Sequence, residues 1–109
     1  MKEDALLVVL STFPDVAAAR AAVEVLVSER LAACVNLLPG VESIYRWESK
    51  VEHSAEVLAV IKTTAARYAD MEQRLRALHP YEVPEIIALP TGAVAESYLR
   101  WAAEAVDQA

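Results

Sequence analysis

Glycine is scarce in this chain, with two residues in 109, Gly40 and Gly92. No glycine-rich loop opens a helix to cradle a phosphate, so the sequence gives no support for a nucleotide-binding loop. Cysteine occurs once, at Cys34, which excludes an internal disulfide, a CxxC redox pair and a multi-cysteine zinc site. Basic residues are in deficit: 10 Lys and Arg stand against 16 Asp and Glu, for a net charge of −6. A polyanionic backbone would meet repulsion instead of a basic stripe, so nucleic acid is not an expected partner. No apolar run reaches the roughly 18 residues of a membrane helix. Glu3 and Asp4 precede a short apolar run, the reverse of the basic start of a secretory signal, and the expected location is the cytoplasm. Two histidines, His53 and His79, without a nucleophile elbow give no catalytic constellation, so no enzyme is expected.

What is present is apolar: 56% of the residues are hydrophobic, enough to pack a core, and the length suits one domain over residues 1–109. Ala5 to Phe13, ALLVVLSTF, is a continuous run rich in Val and Leu, and predicts a central buried strand. From Asp15, an N-cap type residue, the period changes to that of a helix with Ala19, Val23, Leu26 and Val27 on one stripe. Ala32 to Val41 returns to extended character, punctuated by Pro39-Gly40 as a bulge, bend or edge position. Beyond it Val41, Ser43, Tyr45 and Trp47 share one strand face, and Glu42, Ile44, Arg46 and Glu48 the other.

Glu48-Ser49-Lys50 reads as a turn and Glu56 to Thr63 as the returning strand, so these segments form a long hairpin. Thr64 is placed to cap a second helix carrying Tyr68, Met71, Leu75 and Leu78, which His79-Pro80 stops. Val83 to Leu89 predicts a strand with Pro84 near its start. The remainder predicts a short helix with Tyr98, Trp101, Ala102 and Ala105 on one stripe.

The order β, α, β, β, α, β, α is that of an α+β, ferredoxin-like βαββαβ sandwich with an added C-terminal helix. Two helices cover one face of its four-stranded sheet. The strands are apolar on both sides, so the second face needs a cover that one copy does not provide, and an oligomer is expected.

Three segments carry a resemblance: AACVNLLPGVESIYRW at Ala32 to Trp47, KTT at Lys62 to Thr64, and HPYEVPEI at His79 to Ile86. They resemble the signatures of the CutA1 divalent cation tolerance family, in order and over nearly the whole chain. The resemblance implies a ferredoxin-like subunit, a homotrimer of PII-like architecture, and a non-enzymatic part in tolerance or response to divalent metal ions, copper among them. The alternative it leaves open is a PII-like signalling or scaffold module that binds a small molecule or a protein in clefts between subunits. Tyr45, Trp47, Lys62, Tyr81 and Glu85 are the expected cleft residues, with Tyr45 and Trp47 packing across subunits.

Copper favours thiolate, thioether and imidazole ligands, and the chain offers Met1, Cys34, His53, Met71 and His79. In some family members copper is attributed to a cysteine of the first strand and a histidine pair opening the HPY motif. Those positions here hold Ser11, Leu78 and His79, so one of the three matches. His79 with the carboxylates Glu82 and Glu85 is the candidate set for copper or another divalent cation, bound weakly. Against it stands a structural reading of His79 as helix stop or cleft wall. Cys34 is expected to behave as a small core hydrophobe, and His53 to lie in an exposed charged turn. Glu85 has a structural reading too, pairing with Lys62 or with an arginine across an interface.

Overall fold

The computed structural model describes residues 2–108. Seven elements follow in the expected order: β1 (Leu6–Phe13), α1 (Val16–Ser28), β2 (Cys34–Trp47), β3 (Lys50–Thr64), α2 (Ala65–Leu78), β4 (Ile87–Pro90) and α3 (Glu96–Ala105). The strands form one sheet in the order β2-β3-β1-β4, with every neighbouring pair antiparallel. This is the ferredoxin-like arrangement with a helix added at the end.

α1 begins where Asp15 accepts a hydrogen bond from the amide of Ala18 at 2.7 Å, satisfying one of the first-turn donors. It ends in a Schellman motif: the amides of Arg30 and Leu31 return to the carbonyls of Val27 and Leu26, with Arg30 at φ 60°. Arg67, buried on α2, donates from Nε to the Arg30 carbonyl at 3.2 Å. Thr64 occupies the N-cap of α2 without a side-chain capping bond. Its neighbour Thr63 instead donates to the Leu31 carbonyl at 2.7 Å.

Strand alternation divides the sheet into two faces. Val9, Phe13, Val57, Ala59 and Ile61 meet Leu26 of α1 and Met71 and Leu75 of α2 in the main core. Val8, Leu10, Leu58, Val60 and Lys62 point the other way, along with Cys34, Asn36 and Leu38 of β2 and Ile87 and Leu89 of β4. α3 closes one end of that second face, where Leu6, Ala33, Ala102 and Val106 form a small cluster of their own. The rest of the face is open: Leu38, Ile87 and Leu89 are each between 44% and 49% exposed.

The hairpin is longer than its sequence suggested, because β3 starts at Lys50, not at Glu56. Glu48 and Ser49 turn the chain with φ values of 49° and 68°, and Trp47 pairs with Lys50, the left-handed geometry that suits a two-residue hairpin loop. Pro39-Gly40 is a bulge: the register slips between Leu38 and Val41, and Gly40 takes φ 82°, which a glycine adopts without strain. The slip keeps Val41, Ser43, Tyr45 and Trp47 on the open face. His53 therefore lies on strand β3 opposite Ile44, exposed, and not in a turn.

β4 is shorter than the predicted Val83–Leu89. Residues 81–86 bend away from the sheet and pairing starts at Ile87. Pro84 has no amide to give a ladder, and the Thr12 carbonyl that a longer β4 would approach is taken by the His79 ring. Three of the expected buried positions are also exposed: Val27 on α1, and Tyr98 and Trp101 on α3. Ala22 takes the place of Val27 in the core.

Candidate functional site

The HPY segment folds against the ends of β1 and β3. α2 stops at His79, whose backbone turns to φ −75°, ψ 137°, the extended conformation that a following proline imposes. The His79 ring then lies on Phe13, centroids 4.3 Å apart and nearly parallel. Its Nε2 donates to the Thr12 carbonyl at 2.9 Å, and its Nδ1 accepts from the Tyr81 amide at 3.1 Å. This pair of partners fixes the neutral Nε2-H tautomer. Burial holds the His79 imidazole below its ordinary pKa; the Thr12 carbonyl and the Glu56 carboxylate oppose that shift.

Tyr81 packs beside His79 at a centroid distance of 5.0 Å and donates from its phenol to Glu56 Oε2 at 2.6 Å. Glu56 is 9% exposed, at the root of the hairpin on the open sheet face. Burial and then the Glu56 hydrogen bond push the Tyr81 phenol well above its ordinary range, with Tyr45 and Asp15 adding to the effect. Tyr45, whose hydroxyl is 2.7 Å from that of Ser54, completes a cluster of β2, β3 and the HPY loop. Glu56 was not among the sequence candidates. Its signal was present, as the one charge heading the apolar run EVLAVIKT.

The predicted residues fall into separate groups. Tyr45, Tyr81 and His79 come together with Glu56. Lys62 lies three pairs further along the same face of β3, half-buried, its ammonium hydrogen-bonded to Asn36 Oδ1 and 3.5 Å from the Val60 carbonyl. Trp47 is at the tip of the hairpin, 48% exposed. Glu82 and Glu85 are exposed, and neither takes part in the four ion pairs among the described residues. Glu85 therefore does not pair with Lys62 within one copy.

The metal candidates are likewise dispersed. Both ring nitrogens of His79 are engaged, so a cation there would have to displace the Thr12 carbonyl or the Tyr81 amide. Among the described residues no group of three or more His, Cys, Asp and Glu side chains is gathered tightly enough to hold an ion. Met71 is buried in the core, and Met1 lies outside the described residues. Cys34 is half-buried on the open face, not in the core, near the Tyr98 phenol, whose pKa burial and then the neighbouring Cys34 thiol raise. Ser11 is fully buried on the helix face with no hydrogen-bond partner for Oγ.

The family described as CutA1 divalent ion tolerance protein matches residues 7–105. The chain belongs to the CutA1 family. The divalent-cation tolerance protein CutA of Thermus thermophilus is 48% identical over 97 residues, 89% of this chain and 94% of that protein. The chloroplastic protein CutA of Arabidopsis thaliana is 42% identical over 95 residues, 87% of this chain and 52% of that protein. The chain thus spans nearly all of the bacterial CutA and about half of the plant one. The crystal structure of CutA from Xylella fastidiosa superposes with a TM-score of 0.91 at 43% identity, covering 94% of this chain and 98% of that one. The CutA1 subunit fold is therefore shared throughout, C-terminal helix included. No helix among the described residues is long and apolar enough to cross a membrane.

Proposed function

We propose that this CutA1 chain works in the cytoplasm as a non-enzymatic homotrimer in the tolerance or response to divalent cations, copper among them. The observation that carries the assembly is the open sheet face. Leu38, Ile87 and Leu89 stand about half exposed there, beside Val8, Leu10, Leu58 and Val60. Fully burying an exposed side chain of this kind contributes roughly 1.5 to 3 kcal/mol and finishing the burial of a half-covered one about half of that, so covering the whole face with identical copies is favourable. Both outer strands, β2 and β4, leave one edge unpaired. Joining the β2 edge of one copy to a different edge of the next is a heterologous contact, which gives a ring where the rotation between copies closes. Tyr45 and Trp47, exposed on the projecting hairpin, are placed to pack on a neighbouring copy.

Cation binding in this reading is weak and involves His79 with Glu82 or Glu85 supplied around it, since one imidazole per copy is not a tight site. Equilibrium dialysis with copper tests it. Uptake by the wild type that is lost in His79→Ala supports this site; equal uptake by both variants removes His79, and no uptake by either removes metal binding.

A second reading is favoured by a specific observation: the open face carries polar groups, Lys62 with Asn36 at one end and Glu56 with Tyr81 at the other. These suit a PII-like module whose clefts between copies hold a small molecule or a protein segment. A thermal-shift screen of metals and organic anions separates the two readings, because a ligand of the folded form raises its melting temperature.

A further inference from the structure

We propose that Lys62 and Asn36 form a subsite for a small oxyanion, the carboxylate or phosphate group of a soluble molecule, within the sheet face that neighbouring copies cover. This rests on the reading of that face as an assembly surface.

From Leu58 to Thr64 the open face of β3 carries one charge, Lys62. Its cross-strand partners are Val8 of β1 and Cys34 of β2, and Leu89 of β4 lies beyond Val8. A lysine head at such a place ordinarily extends into water along its apolar stem. Here the ammonium folds down onto the sheet, toward the Asn36 side-chain oxygen and the Val60 carbonyl. Both acceptors are neutral. The four ion pairs among the described residues are made by Arg67, Arg74, Arg76 and Arg100, so the charge of Lys62 is uncompensated within its own copy.

The bond to Asn36 also orients that amide. With its oxygen turned to Lys62, its NH2 group faces away and has no acceptor among the described residues. The groups left unpaired here, the remaining Lys62 N–H and the Asn36 NH2, are donors at a positive charge, the complement of an anion with several acceptor oxygens. When a neighbouring copy covers the face, a lone ammonium loses its water, which is unfavourable unless an anion enters with it. An oxyanion that accepts from the remaining Lys62 N–H and from the Asn36 NH2 satisfies both groups at once.

The test is a titration of the assembled wild type with inorganic phosphate and, separately, succinate, at constant ionic strength. It is followed by the side-chain amide resonances of Asn36 in nitrogen-15 NMR, with sedimentation run on the same samples. The expected result is a saturable shift for one or both anions that is retained in Lys62→Arg and lost in Lys62→Met, while Lys62→Met sediments as the wild type does. Asn36→Ala, which lacks the reporter amide and is therefore titrated by calorimetry beside the wild type, should weaken binding about tenfold, the loss of one charge-assisted contact. An absent shift, or an equal shift in Lys62→Met, overturns the subsite. So does a Lys62→Met variant that falls apart while the wild type ignores both anions, because Lys62 then pairs with a carboxylate of the neighbouring copy. A wild type that sediments as one chain overturns the assembly reading separately.

Discussion

The phenol of Tyr81 donates to Glu56 at 2.6 Å, tying the loop after α2 to the root of the β2–β3 hairpin. A buried carboxylate that loses such a donor is left unsatisfied. Tyr81→Phe should destabilise the protein by about 1 to 3 kcal/mol, measured by denaturant unfolding. Combining it with Glu56→Gln should cost less than the sum of the two single changes, the coupling expected of residues in contact.

His79 makes stability depend on pH. Burial lowers its pKa in the folded protein, so as pH falls the unfolded chain takes up the proton first. Its contribution is complete above the unfolded value near 6.5. It declines as pH drops from there through the folded value, and is level below that. Protonation also turns the Nδ1 acceptor into a donor facing the Tyr81 amide. Unfolding midpoints measured from pH 8 to pH 5 should fall in the wild type and fall less in His79→Gln.

Ser11 Oγ is buried without a partner, whereas the buried Thr63 and Arg67 side chains on the same side of the sheet each find a backbone carbonyl. Ser11→Ala should stabilise the protein by about 1 kcal/mol, the desolvation of an unsatisfied hydroxyl. A loss of stability in the thermal or denaturant midpoint would show that the hydroxyl has a partner after all.

Leu89 is 44% exposed on the open face, so a single copy tolerates a charge there and an assembly does not. Leu89→Glu should retain the circular dichroism spectrum of the folded chain while sedimenting as a single copy. Tyr45→Ala with Trp47→Ala should weaken the assembly without unfolding the subunit.

The fold was legible because periods changed at punctuation: Pro14-Asp15 ends β1, Pro39-Gly40 marks the bulge, and His79-Pro80 ends α2. The hairpin's true length was hidden because Lys50 to Ala55 is polar, and polar residues suit a strand with two solvated faces as well as a turn. β4 was overextended because the pattern of Val83 to Ile86 is apolar enough for a strand. What shortens it is the His79 ring taking the carbonyl of Thr12, a residue 67 positions away. At the site, Tyr81, His79 and Tyr45 were readable as motif residues. Glu56 showed only as a charge heading an apolar run, since its role comes from a contact with a residue 25 positions away. The engagement of both His79 nitrogens is likewise a tertiary fact that no spacing encodes.

Assembly turns on the sheet face that α1 and α2 leave uncovered, and sedimentation equilibrium of the wild type over a dilution series tests it most directly. Covered by identical copies, the protein should give three times the 11.9 kDa chain mass down to sub-micromolar concentration. A stable species at the mass of one chain, folded and monodisperse at micromolar concentration, would contradict it.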